Sequence, residues 1–316
     1  MSVAAAMLQR PFFTPVVVGL WLVTTGWLFV AKILPALRPG SPPGHQAFYV
    51  SSGELVPVAW TIECNGRPIG WALARATRAH GRDLVVDTRI HVDRLPWVEI
   101  LPPWAALLVH EAAHEQPTSA FDARGRLSIS EGGELRSFSS IVNLPGARDP
   151  VVLTGSVENG RVSMFVAAGE LRYQTARDLP NSAMIGDELS PLATLPGLYE
   201  GRRWTVPVYS PLRPGQSPIE ILHAKVGGQE TIVWDGTAVA ARVVSYLEDP
   251  SSTRPPRCLI WVDDTGRVLR QESALMGARL AFERLPDEAA ARLAADDDDD
   301  TMATRVHLES PKEAAP

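Results

Sequence analysis

The sequence predicts a mainly β protein with a minor α content: a curved antiparallel sheet or open half-barrel with a few covering helices, preceded by one transmembrane helix. Three observations predict this class. The chain is 45% hydrophobic and 21% charged, which is the balance of a folded globular protein. Strand-like runs separated by short glycine-containing turns fill residues 46–285, and one long apolar run lies near the N terminus.

The apolar run begins after a short N-terminal tail, residues 1–10. All 21 residues between Arg10 and Lys32 are uncharged. About 20 apolar residues in a helix match a hydrocarbon core of ~30 Å, whereas the apolar core of a cleaved signal peptide has ~7–15. We therefore expect residues 11–37 to form an uncleaved transmembrane anchor, and residues 38–45 a Pro/Gly-rich spacer.

The orientation of this anchor depends on a nearly even count of positive charges. Arg10 and the N-terminal amine flank one end, and Lys32 and Arg38 flank the other. Because a large domain that follows a first anchor usually crosses the membrane, we expect a single-pass protein of the inner (cytoplasmic) membrane. The bulk of the chain would then lie on the periplasmic side.

The β-rich domain, residues 46–285, is punctuated by pairs that can adopt the positive φ of a tight turn. These pairs are Asn65-Gly66, Arg124-Gly125, Asn159-Gly160, Gly227-Gly228, Asp235-Gly236 and Thr265-Gly266. They predict hairpins over 58–77 and 119–130, a strand over 83–95 and three strands over 151–176. Six or seven further strands follow residue 204. Such a meander predicts one antiparallel sheet.

Three stretches after the anchor are helix-like. Pro102–Glu115 opens with prolines, which suit a first helical turn, and Ser190–Glu200 is shorter. Pro286–Ala295 contains good helix formers and precedes the aspartates Asp296–Asp300, which account for most of the net charge of −6. We expect residues 286–316 to form a short helix and then an acidic disordered tail.

Composition also limits the partners. No Lys/Arg-rich face or basic patch is visible in the sequence, so nucleic acid is not expected as a partner. Cys64 and Cys258 are far apart and lie in strand-like runs without a C-x-x-C motif. Two unpaired thiols are favoured over a disulfide.

One motif carries recognisable chemistry. His110, Glu111 and His114 form an H-E-x-x-H sequence within a predicted helix. Residues i and i+4 share one helical face, so both imidazoles could bind one Zn²⁺ while Glu111 deprotonates a bound water. The alternative function is therefore a zinc-dependent hydrolase or metallopeptidase.

Other features weigh against zinc. Pro117 ends the helix before any H-x-x-G-x-x-H extension, and no downstream carboxylate is marked as the third ligand that a catalytic zinc needs. An amphipathic helix also accounts for the motif, because the helix dipole favours histidines near a C terminus. We therefore favour a non-enzymatic protein without a cofactor.

Four segments together resemble a known family. They are WTIECNGRPIGW at 60–71, FDARGRL at 121–127, LSPLATLPGL at 189–198 with Gly201 and Trp204, and IWVDDTGRVL at 260–269. Their order resembles that of the periplasmic lipoprotein-carrier (Lol-type) proteins and their uncharacterised envelope relatives. The resemblance implies a curved antiparallel sheet that half-encloses an apolar cavity under covering helices. Those carriers are soluble or lipid-anchored, whereas a helical anchor would prevent this chain from shuttling cargo.

These readings favour a membrane-anchored bacterial envelope protein whose β-domain binds an apolar ligand, a lipid or an envelope protein. Trp104, Leu107 and Leu108 are then the candidate ligand-binding residues, placed to cover the concave face of the sheet. Besides the zinc hydrolase, a structural scaffold of a membrane complex remains an alternative.

Overall fold

The structure, a computed structural model, describes residues 13–28, 40, 42–50, 55–79, 83–96, 118–143, 149–178, 183–185, 190–209, 219–251, 253–275 and 278–309. The chain divides into two compact units, residues 1–41 and 42–316. In the first unit, helix α1 spans Phe13–Leu28. Among the described residues, none of the helices combines the length and the apolarity that a membrane crossing needs. The predicted transmembrane helix over 11–37 is therefore not confirmed.

The second unit is built around strands. Their bounds are β1 Val58–Cys64, β2 Arg67–Arg78, β3 Leu84–Pro96, β4 Thr118–Ile129, β5 Leu135–Asn143, β6 Val151–Glu158, β7 Arg161–Ala168, β8 Leu171–Asp178, β9 Met184–Ile185, β10 Arg203–Tyr209, β11 Ile219–Trp234, β12 Thr237–Leu247, β13 Cys258–Val262, β14 Val268–Leu275 and β15 Ala278–Arg284. A short 3-10 helix, His45–Phe48, precedes β1, and helix α2, Asp287–Glu309, follows β15.

All of these strands belong to one sheet. Its order is β8-β7-β6-β5-β4-β3-β2-β1-β15-β14-β13-β12-β11-β10-β9. The first strand therefore lies in the middle of the sheet, where it pairs antiparallel with both β2 and β15. Neighbours are antiparallel throughout except for β9, which pairs parallel with β10. The predicted mainly β, antiparallel class is confirmed.

The sheet curls around its own buried face, which we call the inner face. Leu84 and Val86 of β3 and Met164 of β7 are buried in one cluster, and Ile219 of β11 packs against it. Since β7 and β11 lie near opposite ends of the strand order, this contact requires strong curvature. The structure thus has the curved antiparallel sheet that the sequence predicts.

The turn pairs fall into two groups. Asn65, Asn159 and Asp235 adopt φ values of 50°, 52° and 48°, each followed by a glycine with positive φ, and they close the β1–β2, β6–β7 and β11–β12 hairpins. These predictions are confirmed because a two-residue turn of this kind needs positive φ at both positions. Thr265-Gly266 likewise lies between β13 and β14.

Two turn predictions are wrong. Arg124-Gly125 lies inside β4, so residues 119–130 form one strand and not a hairpin, and Gly227-Gly228 lies inside β11. At Gly125 the reason is a close approach, since an added Cβ would lie 2.5 Å from Thr88 Oγ1 on β3. In β11 the glycines occupy a bulge between Val226 and Gln229.

Residues 190–200, predicted as a short helix, are instead an irregular segment across the inner face. Its buried part, residues 191–195, is named the plug. The plug's amides bond outside the segment: Ala193 and Thr194 donate to Phe48 O, and Leu195 donates to Gly266 O. These donors already have partners, Pro191 begins the plug and Pro196 follows it, so a helix would gain no further backbone hydrogen bonds here.

Helix α2 packs on the opposite, outer face of the sheet. Ala290 and Ala294 are buried against Ala59 of β1 and Leu73 of β2. The helix runs to Glu309 and so includes Asp296–Asp300, whereas the sequence predicts that it ends at Ala295. The acidic run therefore lies within helix α2, which continues beyond it to Glu309.

Neither cysteine forms a disulfide, which agrees with the prediction that favours thiols over a disulfide. Cys64 is buried in β1. Desolvation raises the pKa of the Cys258 thiol in β13 to about 12, although Ser273 and Arg257 oppose that rise. The Cys258 thiol is therefore not an activated nucleophile at neutral pH.

Candidate functional site

The middle of the inner face is filled by the protein's own side chains, whereas a groove of about 270 Å³ lies beside Leu195 and Asp263. Phe48 and Leu195 are 2% and 0% exposed and lie under the curve of the sheet with Trp204. The cavity left beside Trp60 and Tyr49 measures about 10 Å³. That volume is about what one water molecule needs, so this described region has no room for an acyl chain.

The predicted site residues lie outside the described part of the chain. This holds for the candidate cover residues Trp104, Leu107 and Leu108. It also holds for the zinc motif His110, Glu111 and His114. Their roles stay predictions. Within the described ranges, no three His, Cys, Asp or Glu side chains are grouped to hold a metal ion.

A different site lies on the outer face of the sheet. We call it the arginine groove and define it by Arg75, Arg89, Arg124 and Arg126. These side chains line a groove of about 450 Å³. Strand register brings them together, because Arg89 is paired with Arg124 across β3 and β4. Four guanidinium groups, each with five N–H donors, are thereby directed at one surface.

Carboxylates on the strands orient these arginines. Arg89 Nε donates to Asp122 Oδ2 at 2.9 Å, and Arg124 Nε lies 3.5 Å from Asp122 Oδ1. Arg126 Nε donates to Asp87 Oδ1 at 2.6 Å, and this hydrogen bond and charge raise the pKa of Arg126. The four arginines exceed the two carboxylates by two positive charges.

Helix α2 supplies two more carboxylates. Asp297 pairs with both Arg75 and Arg89, and Asp298 pairs with Arg75. The Asp297 side chain is only 10% exposed, whereas that of Asp298 is 68% exposed. The two aspartates thus neutralise the excess positive charge of the arginine groove, and Asp297 is the deeper of the pair.

The rings of Trp71 and His91, beside the groove, hold Arg89 in place. The Arg89 guanidinium lies 5.5 Å from the ring centroid of Trp71, a cation–π contact. The Trp71 ring is stacked on His91 at 5.5 Å, and His91 Nδ1 lies 3.4 Å from Asp122 Oδ2. Arg89 is therefore the most constrained member, while the Arg124 and Arg126 side chains are 45% and 66% exposed.

The sequence expectation that no Lys/Arg-rich face exists did not anticipate this cluster, in which Asp87, Asp122, Asp297 and Asp298 balance the charge of the four arginines. A usable signal was present: Arg124 and Arg126 alternate with other residues, as do Asp87 and Arg89, and period-2 spacing places each pair on one face of a strand. Finding the groove required the pairing register of β2, β3 and β4, which single strands do not reveal.

Comparisons with known proteins give similarity at the level of solved structures. No protein-family model matches the chain, and no curated protein matches it. A β-barrel-like protein of a domain of unknown function, DUF1849, from Brucella abortus is similar with 9% identity and a TM-score of 0.42, over 73% of this chain and 97% of that chain. The hypothetical lipoprotein YmcC from Escherichia coli (K12) is similar with 11% identity and a TM-score of 0.23, over 82% of this chain and 97% of that chain. Likeness at this level does not assign a function.

Proposed function

We propose that this chain is a non-enzymatic envelope protein that holds its β-domain at a membrane and binds an anionic phosphate group in the arginine groove. The source that we favour for the phosphate is a phospholipid headgroup. The observation that carries the proposal is the convergence of four guanidinium groups on one groove. Arginine forks bind phosphate through paired N–H donors more specifically than lysine does.

Membrane attachment is the second part of the proposal. The uncharged run between Arg10 and Lys32 supports an anchor over residues 11–37, with the β-domain on the periplasmic side of the inner membrane. Headgroup phosphates would then be present at high local concentration beside the domain. An anchored domain gains effective concentration and so needs little intrinsic affinity.

The groove is favoured over the inner face as the ligand site. The plug covers the middle of the described inner face with the fully buried Leu195, so binding there would require expelling core side chains. Arg124 and Arg126 in the groove are partly exposed and can form new hydrogen bonds without any rearrangement of the core.

The proposal predicts that removing a groove guanidinium weakens phosphate binding. In full-length protein, Arg89→Gln or Arg124→Gln should weaken the binding of glycerol phosphate by about tenfold or more, because each charge-assisted hydrogen bond contributes about 1.5–3 kcal/mol. Isothermal titration of detergent-solubilised protein measures this. Thermal unfolding of each variant checks that the fold is retained.

Arg161→Gln is the matched control, since Arg161 lies on β7 and pairs with Asp178 at 3.7 Å, away from the groove. It should leave affinity unchanged. Inorganic phosphate separates the two sources of ligand: a headgroup site should prefer glycerol phosphate, whereas equal affinities would indicate a free-phosphate site. Unchanged binding in both groove variants would rule out the proposal.

A further inference from the structure

One carboxylate of the protein already occupies the arginine groove. The Asp297 side chain pairs with Arg75 and Arg89 together, on neighbouring strands β2 and β3, and is largely buried there. We infer that the Asp297 position is the subsite for the ligand's anionic group, and that the acidic end of α2 is a built-in competitor that the ligand displaces. This inference rests on the proposed function.

Helical spacing explains why these aspartates reach the groove. Ala290 and Ala294 are four residues apart and face the sheet, and Asp297 follows at the next i+3 position of the same face. Asp298 continues this face at i+4 from Ala294. Asp296 lies off the face and is exposed. Among the aspartates whose side chains the structure describes, 296–298, the groove contacts are therefore made by Asp297 and Asp298.

The contacts that hold this end of α2 are of a reversible kind. Its apolar part packs Ala290, Ala294 and part of Leu293 against Ala59 and Leu73, with Trp71 and Leu285 partly buried beside them. Beyond Ala294 the described contacts to the groove are the ion pairs of Asp297 and Asp298. The exposed Asp298–Arg75 pair weakens as salt rises, whereas the Asp297 pairs are partly buried and are replaced by an anion that binds the same two guanidinium groups.

Ligand and helix cannot both satisfy the same two arginines. The phosphate of glycerol phosphate has three terminal oxygens and the diester phosphate of a phospholipid has two, so either can bond to Arg75 and Arg89 where one carboxylate now bridges them. When Asp297 and Asp298 leave, the groove regains its excess of two positive charges, which attracts the incoming anion. Binding is thus coupled to undocking of the end of α2.

The test uses two isosteric variants of the full-length chain. Asp297→Asn with Asp298→Asn should tighten the binding of glycerol phosphate by about fivefold or more, within the range typical of coupled sites. Asp296→Asn is the matched control, because it removes a charge from the same helix without a groove contact. It should change affinity by less than about twofold.

A second measurement follows the helix itself. In wild-type protein, saturating glycerol phosphate should speed hydrogen exchange of the backbone amides of residues 296–309, because local opening exposes them to solvent. Unchanged exchange, or equal tightening in the Asp296→Asn control, would overturn the competition. If Arg89→Gln abolishes binding while the double variant binds no tighter, the competition is wrong but the proposed function stands. If none of these proteins binds glycerol phosphate, both fail.

Discussion

Replacing Leu195 by alanine should lower the free energy of unfolding of the β-domain by about 2–5 kcal/mol, the range for a fully buried leucine. Leu195 is 0% exposed and packs in the inner-face cluster with Phe48 and Trp204. Its amide donates to Gly266 O at 2.8 Å, so the backbone around it is fixed and cannot move in to fill the space. Chemical denaturation of wild type and variant measures the difference.

Tyr199→Ala is the matched control for this prediction. Tyr199 follows the plug on the same irregular segment and is 63% exposed, so its larger truncation should change stability by less than about 0.5 kcal/mol. A plug that acted as a loose lid over a ligand cavity would tolerate Leu195→Ala equally well. Equal stability of the two variants would therefore contradict a solid inner face.

Replacing Gly70 by alanine should destabilise the β-domain by about 3 kcal/mol, the upper part of the range for overpacking. An added Cβ would lie 2.0 Å from His91 O and 2.8 Å from Val92 Cα. Both atoms belong to the backbone of β3, so no side-chain rotation can relieve the clash. The β2–β3 ladder would have to separate beside Trp71 and His91, at one end of the arginine groove.

The control for Gly70 is Gly228→Ala in β11. A Cβ at Gly228 meets no heavy atom within 4 Å, so this substitution should be neutral within about 0.5 kcal/mol. Thermal unfolding compares the two variants at equal protein concentration. A Gly70→Ala protein as stable as Gly228→Ala would show that β2 and β3 do not approach as closely as described.

The sequence predicts the turns whose backbone geometry depends only on their own residues. Asn65-Gly66 and Asn159-Gly160 were identified as turns because positive φ at both positions is a requirement of the hairpin itself. Gly125 and Gly228 are also glycines of predicted turns, but they lie inside strands. Gly125 allows a close approach to Thr88, and Gly228 lies in a strand bulge. Those roles depend on the neighbouring strand, so the sequence pattern around each glycine could not reveal them.

The plug shows a second limit of the same kind. Residues 191–195 have helix-compatible apolar character, yet their amides find partners at Phe48 and Gly266, which are far away in the sequence. Tertiary contacts therefore decide the conformation. Helix α2, in contrast, is longer than the sequence predicts. Arg75 and Arg89 neutralise aspartates that would repel one another in an isolated helix.

The arginine groove could be predicted only in part. Alternation places Asp87 and Arg89 on one face of β3, and Arg124 and Arg126 on one face of β4. Which of these residues become neighbours depends on the register of three strands and on the docking of α2. The Asp297 contacts join residues more than two hundred positions apart, and no local pattern indicates them.

Ligand binding in the arginine groove is best tested by a crystal structure of the chain grown with glycerol phosphate. We expect a phosphate in the groove, within about 2.7–3.2 Å of guanidinium nitrogens of Arg75 and Arg89, with Asp297 displaced. A phosphate bound elsewhere, with Asp297 still paired to both arginines, would contradict it.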